Sequence, residues 1–154
     1  MASIVVGTDG SEQAQSALAW AVDEARRRSA HLDVLHVWEA PLNAYPAPFF
    51  ATGAFEVEAC IRASREAAEQ RGEEIRSWLR EHAADVGATV SVIEGSAGDQ
   101  LLEHAKTAAL LVVGSRGHGG FSALLLGSVS DRCSRHAPCP IVIVPAPART
   151  KAAA

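Results

Sequence analysis

Between Gly114 and Ser128 the chain reads GSRGHGGFSALLLGS, directly after the apolar run ALLVV. Gly114, Gly117, Gly119 and Gly120 crowd into this stretch, and Gly127-Ser128 follows. Glycine is costly to order, so such a cluster marks a place where something approaches the bare main chain. Ser128 and Ser130 then open a helix-like segment. A helix N-terminus offers unpaired N–H groups and a partial positive charge, which favour phosphate. The neighbouring hydroxyls add donors. Arg116 and His118, inside the loop, are candidate cations for the same anion. A second chemically loaded turn, GTDGS, follows the first apolar run and carries Asp9. Asp9 is a turn former and, at a strand end, a candidate ligand contact. Asp131 suits the first turn of a helix but repels phosphate. It either points away or sits near a metal.

The familiar alternatives do not match. Gly114 and Gly119 have the glycine spacing of a Walker loop, but Gly120 stands where lysine is required. GTDGS lacks the spacing of the dinucleotide fingerprint. No GxSxG elbow places Ser128 as a hydrolase nucleophile, and the six histidines are scattered with no HExxH pair.

The surrounding elements must hold these two turns together. SIVVGT at Ser3 to Thr8 reads as a buried strand. Ser11 caps a following helix, whose inward face is Ala14, Leu18, Val22 and Ala25. Arg26, Arg27 and Arg28 suit its C-terminal dipole. HLDVLHV is a second strand. Residues 38–54 carry three prolines and no period, and so form a long loop. A helix from Phe55 to Val86 follows, with Ile75, Trp78, Leu79 and His82 on its inner face. Ala88 to Gly95 alternates as a third strand, and Asp99 to Lys106 forms a short helix. ALLVVG is the fourth strand, Ser128 to His136 the last helix, and PIVIVP the fifth strand. Strands alternating with helices predict a parallel sheet covered on both faces. If strands one and four flank the point where strand order reverses, the two loaded turns meet there.

The chain has 154 residues and a net charge of −4. It suits one domain and argues against nucleic acid as a partner. No apolar run approaches the length of a membrane span, and the start, MASIVVGTDG, lacks the pattern of a secretory signal. Cys60, Cys133 and Cys139 lack zinc spacing and read as small, buried, reduced thiols of a cytoplasmic protein. Trp20, Trp38 and Trp78 read as packing residues, Trp38 also as a neighbour of the ligand. The Arg/Glu-rich stretch from Arg62 to Arg71 reads as a solvated helix face.

Gly114-x2-Gly117-x9-Gly127-Ser128 resembles the G-2x-G-9x-G-[S/T] pattern of the ATP-binding branch of the universal stress protein family. VVGTDGS, LHV and APCPIVIVP extend the resemblance from Ser3 to Pro145. It implies a single α/β domain over residues 1–146; residues 147–154 read as a flexible tail. Its doubly wound parallel sheet would have five strands in the order 3-2-1-4-5. It also implies ATP with magnesium or manganese as ligand, and homodimers paired through the strand at 140–145. By the same resemblance Asp9 lies at the adenosine end and Val37 meets adenine through its main chain. Gly114 and Gly117 line the path of the ribose and phosphates, and Gly127, Ser128, Val129 and Ser130 hold phosphate. Gly7, at the end of the first strand, and Arg116, as a cation beside phosphate, are further candidate contacts. The expected role is a nucleotide-dependent binder in a stress response. A slow ATPase or phosphotransferase and a binder of another adenine nucleotide, such as cyclic AMP, are the alternatives. Apolar edge strands are aggregation-prone when bare, so pairing of the IVIV strand with a second subunit is also expected on physical grounds.

Overall fold

The computed structural model describes residues 2–41, 54–117 and 126–145, with the side chains of 54–56 excepted. His118, Gly119, Gly120, most of the long loop and the C-terminal tail lie outside the described residues. The elements in chain order are β1 (Ser3–Gly7), α1 (Glu12–Arg28), β2 (His31–Trp38), α2 (Ala54–His82), β3 (Ala88–Glu94), α3 (Ala97–Ala105), β4 (Leu110–Gly114), α4 (Ser128–His136) and β5 (Ile141–Val144).

The five strands form one parallel sheet in the order β3-β2-β1-β4-β5. Alternation along each strand sends successive side chains to opposite faces. Ile4, Val6, Leu32, Val34, Leu110 and Val112 therefore pack beneath α1 and α2, with Ala17, Leu18, Ile75 and Leu79. Val5, Leu35, Leu111 and Val113 pack on the opposite face, with Leu101, Ala105 and Cys133 of α3 and α4. Trp20 and Trp78 are partly buried against the first of these cores, as packing residues should be.

α2 stops at His82 rather than at Val86. The apolar period continues through Ala83 and Val86, but the backbone has already turned. Val86 N–H donates to the Ala83 carbonyl oxygen (2.9 Å). Arg26 of α1 reaches across to take the Asp85 carboxylate (2.7 and 2.8 Å) and the His82 carbonyl oxygen (2.7 Å). His82 is exposed and stacks on Trp78 with centroids 4.8 Å apart, so Ala83, not His82, is the inward residue.

The two sheet edges differ. The β3 edge is overlaid by α2: Arg76 donates to the Val90 carbonyl oxygen (3.4 Å), and a Cβ on Gly72 would stand 2.5 Å from Val92 Cγ2. On β5, the Pro140 and Val144 carbonyl oxygens turn inward to Leu111 and Ser115. By alternation, Ile141 and Ile143 turn their main-chain groups to the open side. No described residue covers them. Among the described residues no helix is long and apolar enough to cross a membrane.

Candidate functional site

Strand order reverses between β1 and β4, each of which pairs with the other and with a different outer neighbour. The crevice beyond their carboxyl ends is where open α/β sheets take ligands. The turn after β1 is built by short-range bonds. Gly10 N–H donates to Thr8 Oγ1 (3.2 Å), Ser11 N–H to Asp9 Oδ1 (2.9 Å), and Ala14 N–H to Ser11 Oγ (3.1 Å), which caps α1. Gly10 sits at φ 76°, where a side chain is strained, and Arg71 of α2 packs on its bare Cα. Buried His36 lies behind the turn, its Nδ1 3.0 Å from the Thr8 carbonyl oxygen. A carbonyl only accepts, so Nδ1 carries the hydrogen.

The second turn leaves β4 at Gly114 and returns at Gly127, whose N–H donates to the Ser115 carbonyl oxygen (2.8 Å). The buried Ser130 hydroxyl lies 2.9 Å from both the Ser115 and Gly127 carbonyl oxygens, so its hydrogen is committed to the main chain. The first bond inside α4 runs from Asp131 N–H to the Gly127 carbonyl oxygen (2.9 Å). The N–H groups of Ser128, Val129 and Ser130 have no acceptor among the described residues, and α4 has no side-chain cap.

These pieces enclose a cavity of about 470 Å³, within the usual range of small-molecule sites. Its lining includes ten of the expected contact residues, Gly7, Asp9, Val37, Gly114, Arg116, Gly117, Gly127, Ser128, Val129 and Ser130, while His118 lies outside the described residues. It adds Thr8, Ala14, Leu35, Ala97, Leu101 and Val113, which the sequence reading missed. Leu35 and Val113 were findable as inward residues near strand ends. Ala97 and Leu101 enter only through the placement of α3. One flank of the cavity is thus aliphatic, and the other is main chain and hydroxyl.

The bare positions divide by cause. A Cβ on Gly117 would stand 2.6 Å from Asp9 Oδ2, and one on Gly7 would stand 2.8 Å from Leu101 Cδ1. At these positions the fold itself uses the space. Gly127 differs: its φ of −73° and ψ of 164° suit any residue, and a Cβ there would meet no described atom closer than 3.4 Å. Access to the cavity is the remaining physical reason for glycine at 127.

Asp131 resolves its ambiguity by turning along its own helix to Arg135 (3.0 Å), outside the cavity lining. Arg116 lines the cavity and has no carboxylate partner among the described residues. Trp38 is not in the lining; Arg65 stands over its ring, 5.9 Å from the centroid. Of the three cysteines only Cys133 is buried; Cys60 and Cys139 are half-buried, contrary to expectation. Cys133 lies against the sheet, and burial pushes its thiol up to about 11. Among the described residues no group of three or more His, Cys, Asp and Glu side chains could hold a metal ion.

Comparison with known proteins agrees with this architecture. The family model for the universal stress protein family matches residues 1–145. A universal stress protein of Mycolicibacterium smegmatis is 37% identical over 141 residues, covering 92% of this chain and 45% of that protein. The chain thus spans about half the length of several curated relatives it matches. YxiE of Bacillus subtilis is 35% identical over 146 residues, covering 92% of this chain and 97% of that protein. Among solved structures, UspA from Lactobacillus plantarum superposes with a TM-score of 0.78 at 23% identity, covering 93% of this chain and 97% of that one. A universal stress protein in complex with cAMP gives 0.59 at 25% identity, covering 94% and 97%. An Arabidopsis thaliana family protein with AMP bound gives 0.62 at 21%, covering 96% and 94%. With the sheet order, the glycine-lined crevice and a match running from the first residue to the end of β5, the chain belongs to the universal stress protein family.

Proposed function

We propose that this chain binds ATP, with magnesium or manganese, in the crevice between β1 and β4, and that the nucleotide governs its conformation or partner choice in a stress response. The observation that carries this reading is the first turn of α4. Its three N–H groups lack acceptors among the described residues and border a cavity whose other flank is aliphatic. Phosphate suits the first feature, and a purine ring suits the slot of Leu35, Val37, Leu101 and Val113. Asp9 and the Val37 main chain would take the polar edges of adenosine. Arg116 would add a cation beside the phosphates. A divalent ion would ride on the phosphates and water, as magnesium commonly does. Asp9 is the one carboxylate among the described lining residues. A homodimer formed through β5 completes the proposal.

A cyclic adenine nucleotide is the second reading, supported by the relative in complex with cAMP. A slow hydrolase needs a positioned base, and Asp9 already accepts from Ser11 N–H through Oδ1. Calorimetric titration of nucleotide-stripped protein with ATP, AMP and cAMP, with and without EDTA, separates these readings. ATP binding that weakens about tenfold or more on metal removal, with ATP recovered intact, is the expected result. Tighter binding of cAMP, insensitive to EDTA, replaces ATP with the cyclic ligand. Catalytic release of ADP replaces the binder with an enzyme. No saturable binding of any of them overturns the reading.

A further inference from the structure

α3 and α4 lie side by side on one face of the sheet and are connected in space, not in sequence. Right-handed crossovers in a parallel sheet run both helices back against the strands, so both N-termini point toward the crevice. Ala97 and Leu101 of α3 form one wall of the cavity, and Ser128, Val129 and Ser130 of α4 form another. The two first turns carry like partial charges, so their spacing needs a fastener.

That fastener is visible. Arg132 is one turn beyond Ser128, on the same side of α4. Its stem crosses the first turn of α3 at Gly98, where a Cβ would stand 2.6 Å from Arg132 Cδ. Its guanidinium then pairs with the Asp99 carboxylate. Asp99 suits the N-terminal turn of α3, whereas an arginine at the middle of α4 gains nothing from that helix's dipole, which acts on the end turns. Arg132 is explained by its partner across the gap, and Gly98 by the stem that passes over it.

We infer that Arg132, clasped on Asp99 across Gly98, is a positioning residue that fixes the separation of the two cavity walls at the phosphate end and thereby sets affinity for the phosphate chain. The inference rests on the nucleotide reading of the cavity. The ion pair is about half exposed, with side-chain exposures of 52% and 55%, so its influence is bounded. Loss of the clasp weakens ATP binding by about threefold to fivefold. Adenosine, which carries no phosphate, stays within about twofold.

The test is titration of the full chain with ATP and adenosine at fixed magnesium. The proteins are wild type, Arg132→Asp, Gly98→Ala and the exchanged pair Arg132→Asp with Asp99→Arg, with melting temperature followed for each. Arg132→Asp is expected to lose ATP affinity selectively, and the exchanged pair to recover it to within about twofold of wild type. Gly98→Ala keeps every charge and favours helix, so it should melt no lower than wild type, yet it should lose ATP affinity by displacing the Arg132 stem. If the exchanged pair stays as weak as Arg132→Asp, Arg132 acts as a free cation and the clasp is overturned. Equal losses for ATP and adenosine, or no loss, overturn it as well. Wild type that binds neither compound overturns the nucleotide reading, and the inference with it. Wild type that binds while the variants keep its ATP-to-adenosine ratio overturns the inference alone.

Discussion

Asp9 has two geometric duties. Its Oδ1 accepts from Ser11 N–H and so shapes the turn that starts α1. Its Oδ2 fills the space beside Gly117 on the opposite loop. Gly117→Ala places a methyl group 2.6 Å from that oxygen, and the carboxylate must rotate away because the alanine lies on main chain. The expected outcome is a loss of adenosine affinity of about tenfold, roughly 1.4 kcal/mol, with little change in melting temperature. Calorimetry beside thermal unfolding checks both parts. The sequence marked positions 114, 117 and 127 by type and spacing. It could not say that position 117 is bare for a neighbouring side chain while 127 is bare toward a cavity, because Asp9 and Gly117 are far apart along the chain.

At the scale of elements, apolar runs and caps were legible because they are local. The five strands and the Ser11 cap followed from sequence, and Ser11 Oγ does accept from Ala14 N–H at 3.1 Å. The end of α2 was not legible, because Arg26 from another helix captures the chain at His82 and Asp85. The clasp of Arg132 on Asp99 escaped for the same reason. α4 also carries a pH response. Burial of Cys133 against the sheet raises its thiol from the ordinary 9.0 to about 11. A raised folded value means that the unfolded chain loses its proton first. This contribution to stability is intact below pH 9.0 and is lost as pH climbs toward about 11. Denaturant unfolding between those limits should show wild-type stability falling more steeply with pH than that of Cys133→Ala. Parallel slopes would remove Cys133 as the cause.

The whole molecule is asymmetric at its edges. α2 overlies β3, with Arg76 on the Val90 carbonyl oxygen, while Ile141 and Ile143 of β5 turn main-chain groups to the open side. An exposed apolar strand edge invites pairing, and a second copy satisfies it with two-fold symmetry. Ile143→Pro removes one outward N–H while leaving the inward carbonyl bonds of Pro140 and Val144 in place. Sedimentation velocity is expected to show a dimer for wild type and a monomer for the variant, each with the ATP response unchanged. A wild-type monomer, or a variant that stays dimeric, would rule out pairing through this edge. The strand order was expected from resemblance, and the parallel sheet from alternation alone. The unequal coverage of its two edges depends on where α2 lies, which no local pattern encodes.

The contact between positions 9 and 117 also bears on how such a chain can change over generations. Because the Asp9 carboxylate occupies the space a methyl group would need at 117, the two sites do not drift independently. A shorter residue at 9 opens room at 117, whereas an alanine arriving first at 117 meets an occupied space. The order of substitution therefore matters, and one route between the same two sequences is smoother than the other.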